Sequence, residues 1–405
     1  MKNLIPFLFI FFIACKKESA TVIPPAPSDS AFVTVNNGYG SGQYKFGDTV
    51  HIFSVAYTDN ELFNTWAGAD AGLLNGKDEW HTWFIMPSHA VTLTGSIKNS
   101  ASFTLSYEKI KGRDIMKPVY YYFPAGHTGF VYLLHGTGGN ADNVVNGFEF
   151  TQLIKDIITS NLGVIITEAE EATTGTDADG DGNLRWATTP QDSVNNVDYA
   201  NIKAITDTFY SRGITSRNKL RYSVGMSNGG NFSAFLSSFY KFKAGVSYCA
   251  PAGAAVINST TPFQFCMARY DNNPNVGPQG NAAALSNSQT LTSHNVCSRY
   301  LVKEHSPLYA ERFARRGDIS ITQSAAIFNE LKSNGFLDSK NYFIGFSDAL
   351  TTAFAANPSA FPQLGSTTLQ QRQFVLEQVN LSVSDHHMYS DYNRATLKFL
   401  NTQCQ

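Results

Sequence analysis

The sequence predicts an α/β protein: a mostly parallel sheet with flanking helices, preceded by a small all-β domain. Three observations predict it. Short apolar runs such as Phe130-Val131-Tyr132-Leu133-Leu134 and Gly163-Val164-Ile165-Ile166 alternate with helix-length segments such as Asn201 to Tyr210. A strand-like run, Leu220 to Val224, enters a Gly-x-Ser-x-Gly turn, and a helical segment, Phe232 to Tyr240, follows it. Residues 31–98 carry instead β-prone runs separated by Gly-rich turns. Composition fits: 405 residues leave room for two domains, and 13% aromatic residues are too many for a disordered chain. With 30 Lys and Arg against 32 Asp and Glu, the chain lacks the basic excess of a nucleic-acid binder, and no nucleic-acid partner is expected.

The N-terminus is read first. Met1-Lys2-Asn3 and the apolar Leu4 to Ala14 have the charged start and short apolar stretch of an export signal. Phe12-Ile13-Ala14-Cys15 resembles a bacterial lipoprotein signal, with Phe12 where that family usually has Leu. The resemblance implies removal of residues 1–14, acylation of Cys15, and attachment to an outer-membrane or cell-surface bilayer through lipid. Residues 15–30, with Pro24-Pro25-Ala26-Pro27, read as a tether. Export permits disulfides, and Cys249, Cys266, Cys297 and Cys404 allow three full pairings. Cys249 and Cys266 lie in apolar runs and read as core residues, and the absence of Cys-x-x-Cys leaves a zinc site unsupported.

Residues 31–98 form the small β module. Its runs include Phe32 to Val35, Thr49 to Phe53 and Ala90 to Thr94. The series Tyr44-x-x-Gly47-Asp48-x-Val50, Phe63-x-x-Trp66 and Phe84-Ile85-Met86-Pro87 resembles the internalin-type B-repeat. That resemblance implies a β-grasp-like or Ig-like spacer without catalytic residues. Trp66, Trp80 and Trp83 are core candidates, with a sugar platform as the alternative.

Residues 99–405 are expected to hold the chemistry. Gly225-Met226-Ser227-Asn228-Gly229 reads as a nucleophile elbow that presents the Ser227 hydroxyl, its glycines avoiding collision across the turn. His135-Gly136-Thr137-Gly138-Gly139 follows a strand and can aim backbone N–H groups at a developing oxyanion. The two donors are assigned to Thr137 and Asn228. His135 reads as a residue that holds this loop beside the substrate, not as a base. These motifs together resemble the α/β-hydrolase superfamily, and within it the secreted poly(3-hydroxybutyrate) depolymerases and feruloyl or acetylxylan esterases. The resemblance is good over about residues 105–275. It implies a Ser–His–Asp triad, with the acid in the loop after Phe263 to Met267: Asp271, with Asp338 and Asp348 as rivals. The base comes last in the chain, at His386 or His387. His386-x-Met388 and His387-x-Tyr389 each fit an ending found in the superfamily, and the reading leans to His386.

Asp177, Asp179 and Asp181 alternate with Ala178, Gly180 and Gly182, as in a calcium loop, with Asp192 or Glu168 needed to complete the shell. A solvated turn is the other reading, and a cation there would be structural. Trp186 is expected to line the acyl pocket. Residues 275–370 fit no strand ladder and read as a lid-like insertion, with helices over Ser306 to Arg316 and Ser324 to Asn334. Gln373 to Leu376 reads as a strand, and Asp391 to Leu400 as a final helix capped by Ser390. The expected activity is hydrolysis of a polysaccharide-linked ester or a polyester through an acyl-enzyme, without a catalytic cofactor. A serine peptidase on the same fold and a noncatalytic surface-binding lipoprotein are the alternatives.

Overall fold

The computed structural model describes residues 29–404 apart from 254, 255 and 257. The export signal, Cys15 and the tether up to residue 28 lie outside the described residues. The small unit contains β1 (Ser30–Asn36), β2 (Gly38–Tyr39), β3 (Gly42–Lys45), β4 (Thr49–Ser54), β5 (Glu61–Ala67), β6 (His81–Ile85) and β7 (Val91–Asn99). They form two sheets, ordered β3-β1-β7-β5 and β2-β4-β6, in which β1 and β7 run parallel. Val33, Val50, Ile52, Trp66, Phe84 and Leu93 fill the space between them. Trp66 and Trp80 are 1% and 5% exposed, so neither offers a sugar platform.

The second unit is built on β8 (Ser106–Lys111), β9 (Met116–Tyr122), β10 (Gly129–Leu134), β11 (Leu162–Ile166), β12 (Leu220–Met226), β13 (Ala244–Tyr248), β14 (Phe263–Ala268) and β15 (Ser298–Lys303). Their order is β15-β14-β13-β12-β10-β11-β9-β8, parallel from β15 to β11, with β9 and β8 antiparallel at the far edge. This is the α/β class, with a mostly parallel sheet, that the sequence predicts. Strand β10 is apolar throughout because both its faces are covered. Alternate residues point to opposite faces. Phe130, Tyr132 and Leu134 meet Ile202, Ile205 and Phe232, while Val131 and Leu133 meet Ile154, Ile157 and Leu397.

The helices are α1 (Ala141–Asn146), α2 (Phe148–Thr159), α3 (Glu170–Thr174), α4 (Val197–Ser211), α5 (Asn228–Phe239), α6 (Gly277–Ser293), α7 (Ile321–Ser333), α8 (Ser347–Ala356), α9 (Pro362–Gly365), α10 (Leu369–Val383) and α11 (Asn393–Thr402). The chain order reverses direction across the sheet at β10, which lies between β11 and β12. A crevice therefore opens at the carboxyl ends of β10 and β12, where the Gly-rich loop and the Gly-x-Ser-x-Gly turn emerge.

Several elements differ from expectation. Residues 275–370 do supply a strand, since β15 pairs in parallel with β14, and their polar start forms α6. Ser306 to Arg316 is helical only over Arg312–Arg316, as a 3-10 turn. The run around Phe374 belongs to α10, whose start is fixed by a capping box between Thr368 and Gln371. A short apolar run does not distinguish strand from helix; the box does. Residues beyond β15 build a separate core around Phe313, Ile327, Leu331 and Val379 rather than a cover for the crevice. Cys297 and Cys404 form a disulfide, and Cys249 and Cys266 are free and buried.

The β unit is docked onto the second unit and is not a free spacer. Strand β4 is buried on both faces from Val50 to Ser54. Its outer residues explain this: Phe53 stacks on Tyr309 at 4.4 Å between centroids, and His51 Nδ1 lies 3.1 Å from His81 Nε2. His81 Nδ1 in turn donates to Asp391 Oδ1, which also accepts from Lys303 Nζ at 2.7 Å.

Acid should loosen this contact. Burial pushes the His81 imidazole down to about 4, with Lys303 and Arg312 adding to the shift and Asp391 opposing it. His51 is lowered too, by burial and by His81, Lys303 and His305. An unfolded imidazole titrates near 6.5. Between those two values the unfolded chain binds a proton that the folded one does not, so stability falls as pH drops from about 6.5 to about 4. The loss should reach about 2–3 kcal/mol for His81. Melting midpoints across that range should fall less steeply for His81→Gln than for the wild type; parallel curves would remove His81 from this role.

Candidate active site

Ser227 sits between β12 and α5 with φ 56° and ψ −125°, a left-handed conformation that costs a non-glycine residue about 1–3 kcal/mol. The flanking glycines are steric requirements. A Cβ on Gly225 would lie 2.0 Å from the Gly229 carbonyl oxygen, and one on Gly229 would lie 2.2 Å from that of His135. The turn is pinned from below, where Ser227 N–H donates to the Tyr248 carbonyl at 2.8 Å.

The geometry brings together three of the expected residues. His386 Nε2 lies 2.9 Å from Ser227 Oγ, and His386 Nδ1 lies 2.7 Å from Asp271 Oδ2. With Nδ1–H donating to the carboxylate, Nε2 is free to accept the hydroxyl proton. Asp271 follows β14 and is 3% exposed. Ser384, in the left-handed conformation after α10, fastens the base-bearing loop across the ends of β14 and β15. Its Oγ accepts from Arg269 N–H at 2.9 Å and donates to the Lys303 carbonyl at 2.6 Å. Asp385 Oδ1 then accepts the N–H groups of Asn272 and His386, at 3.0 and 2.6 Å.

His387 stands apart. Its Nε2 lies 3.4 Å from Asn380 Nδ2, its Nδ1 is buried without a partner, and burial lowers its pKa. Asp338 accepts backbone N–H groups of Lys340 and Tyr342, and Asp348 lies in the first turn of α8; neither approaches the serine. Thr137 and Asn228, the first residue of α5, line the same crevice as Ser227 and His386. Neither backbone N–H has an intramolecular acceptor among the described residues, as expected at Asn228 for the first N–H of a helix.

Two expected substrate contacts are corrected. Trp186 is 1% exposed and stacks on Phe232 at 4.7 Å, so it lines no acyl pocket. His135 is 2% exposed: Nδ1–H donates to the Gly136 carbonyl and Nε2 accepts from Ala169 N–H. Burial pushes it down to about 4, so it is neutral at pH 7 and holds the loop without touching the crevice. Trp186 acts at one remove. Its backbone N–H donates to Asn228 Oδ1 at 2.8 Å, and its carbonyl accepts from Asn228 Nδ2 at 3.3 Å. Its indole N–H donates to the His135 carbonyl at 3.0 Å. One tryptophan thus links the elbow to the Gly-rich loop.

No protein-family model and no curated protein sequence matches the chain. Among solved structures it is similar to a dienelactone hydrolase from Anabaena variabilis, with 14% identity, 56% of this chain and 97% of that one covered, and a TM-score of 0.39. A ferulic acid esterase has 9% identity, with 49% and 89% covered and a TM-score of 0.36. A Bacillus cereus carboxylesterase has 15% identity, with 46% and 83% covered and a TM-score of 0.30.

The crevice has a volume of about 510 Å³ and is lined mainly by polar groups, among them Arg185, Asn228, Asn231, Asn273 and Asn275. Apart from Asn228 these were not singled out in the sequence, because isolated asparagines in loops carry no pattern. None of the lining residues comes from 304–370. The acidic loop forms one wall. Glu171, Asp177 and Asp179 each place an oxygen within 4.8 Å of the others, so Glu171 joins the set rather than Asp192 or Glu168. Asp181 pairs with Arg185. Asp177 already accepts the N–H groups of Gly180, Asp181 and Gly182, and Glu171 those of Ala178 and Arg185. These residues would hold a cation only by giving up some of those bonds.

Replacing Asn228 by Ala should destabilise the fold by about 1–3 kcal/mol, because the buried N–H of Trp186 loses its acceptor. Urea unfolding checks this. A midpoint equal to the wild type would show that the Asn228–Trp186 pair contributes nothing.

Proposed function

We propose that the protein is a serine carboxylic-ester hydrolase working through an acyl-enzyme. The observation that carries this is the unbroken line Ser227 Oγ–His386–Asp271 on a strained strand-turn-helix elbow, with unspent backbone N–H groups beside it. Ser227 Oγ attacks the ester carbonyl carbon while His386 Nε2 takes its proton, and Asp271 stabilises the imidazolium. The carbonyl oxygen becomes an oxyanion facing the N–H groups of Thr137 and Asn228. Collapse of the tetrahedral intermediate breaks the ester C–O bond, and the imidazolium returns its proton to the leaving alkoxide. Water, deprotonated by His386, then attacks the acyl-serine and releases the acid. No step needs a cofactor.

The amide-rich crevice supports a hydroxyl-rich alcohol partner, since amide side chains both donate to and accept from hydroxyl groups. A polysaccharide-linked ester fits that lining better than an apolar polyester. The reading of residues 1–30 adds export and a lipid anchor at Cys15, which would hold the enzyme at a cell surface facing polymeric substrate.

Ser227→Ala should lower kcat on a short p-nitrophenyl ester by on the order of 10⁶. Ser227→Gly should be equally inactive yet melt higher, because glycine adopts the elbow conformation without strain. His386→Ala should be nearly dead and His387→Ala should keep most of its kcat. Retention of a tenth of the activity in Ser227→Ala would end the nucleophile assignment, and turnover of peptide nitroanilides but not esters would favour a peptidase.

A structural calcium on Glu171, Asp177 and Asp179 remains a separate proposal. A bound ion at a hundredfold excess over its Kd stabilises by about 2.7 kcal/mol. Chelator should then lower the melting temperature without changing kcat of the folded enzyme. An unchanged melting temperature would assign these carboxylates to turn capping alone.

A further inference from the structure

Three consecutive residues of the β unit, Glu79, Trp80 and His81, each grip the segment that leaves the His386 loop. Glu79 caps the last helix: its carboxylate oxygens accept the N–H groups of Arg394 and Ala395 at 3.3 and 2.8 Å. The helix has no cap of its own, because Tyr392 occupies that position without a side-chain bond, and Ser390, the expected cap, is engaged elsewhere. Trp80 Nε1–H donates to Ser390 Oγ at 3.1 Å, and the Arg315 guanidinium lies 3.6 Å above the Trp80 ring. Ser390 N–H donates to Glu149 at 3.0 Å, and Glu149 is paired with Arg315 at 2.9 Å. His81 Nδ1–H donates to Asp391, the fifth residue after His386.

We propose that Glu79, Trp80 and His81 are positioning residues of the active site, fixing residues 390–395 and through them the His386 ring against Ser227. The second unit also holds this end of the loop, at Ser390 through Glu149 and Arg315 and at Asp391 through Lys303, and Glu79, Trp80 and His81 add to that grip. Ser384 and Asp385 hold its start, and Tyr389 O–H donates to the Met267 carbonyl at 3.0 Å. The loop between α10 and α11, residues 384–392, needs both ends fixed if one ring is to keep two hydrogen bonds in line. Misplacement of a reacting group by about 1 Å costs on the order of 100-fold in rate. The β unit, which carries no residue of the crevice, would thus be part of the catalytic assembly. This rests on the esterase reading of Ser227 and His386.

The test compares His81→Leu, His81→Asn and Trp80→Phe in the full chain, each at a temperature where far- and near-UV circular dichroism match the wild type. The readouts are kcat and KM on a short p-nitrophenyl ester and the rate of Ser227 labelling by a fluorophosphonate. His81→Leu should lose about 10- to 100-fold in kcat and in labelling rate with KM within about twofold, because the crevice is untouched. His81→Asn keeps an N–H donor toward Asp391 and should recover to within about threefold. Trp80→Phe keeps the ring over Arg315 and loses only the bond to Ser390, so it should fall between them even if His81→Leu does not fold. Wild-type kcat and labelling in folded His81→Leu, or in folded Trp80→Phe where the leucine variant fails to fold, would overturn the proposal. A wild-type protein that neither hydrolyses the ester nor reacts with the fluorophosphonate would instead overturn the esterase reading.

Discussion

The site depends on one strained residue. Holding Ser227 at positive φ swings its hydroxyl clear of the sheet, and it forces β12, α5 and the Gly-rich loop into near-contact. That contact leaves no room for a Cβ at Gly225 or Gly229. The strain, about 1–3 kcal/mol, persists only because the surroundings over-determine the turn. The bond from Ser227 N–H to Tyr248 and the paired bonds between Asn228 and Trp186 supply that surplus. Trp186 and His135 are therefore best understood as struts. Their aromatic bulk keeps water out of the backbone bonds that hold the elbow and the neighbouring N–H donors.

A second constraint is the burial of charge in the second unit where the β unit covers it. Glu149, Asp156 and Asp391 face Arg315, Arg394 and Lys303, nearly all inaccessible to solvent. Removing such ions from water is expensive, so pairs of this kind contribute little net stability compared with an apolar contact of the same shape. Their effect is on geometry. An apolar interface tolerates sliding, whereas a carboxylate shared by Lys303 and His81, or a guanidinium stacked on Trp80, is satisfied in one arrangement only. Breaking one partner leaves an uncompensated buried charge.

The parts legible in the sequence are those governed by local rules. Apolar runs with helices between them announce a sheet covered on both faces, and a Ser between glycines after a strand announces the elbow. The order Ser, Asp, His comes from the resemblance instead, which pointed to Ser227 and Asp271 and left His386 and His387 to be told apart by geometry. What escaped reading depends on distant partners. The cap of α11 comes from Glu79, more than 300 residues away, so the nearby Ser390 was the only cap that sequence could suggest. Trp186 looks like a pocket wall because a tryptophan beside a catalytic loop is ambiguous until its indole N–H is seen bonded to His135. The strand misread at Phe374 is a matter of period: three apolar residues in a row fit either element, and only Thr368 and Gln371 break the tie.

These two constraints meet at the loop between Ser384 and Asp391. The elbow fixes Ser227 from one side, through strands β12 and β13. Asp271 is fixed by the end of β14. His386 has no strand of its own; it rides on a turn between α10 and α11. A turn's backbone is the least rigid part of a fold, yet a proton-transferring ring must hold two bonds at once. Burying the downstream half of that turn under Trp80 and His81, with Tyr389 locked beneath it, gives it the packing that a strand would otherwise supply. The β unit, at the front of the chain, thus packs against the turn at its back, and His81 and Trp80 are buried in that contact.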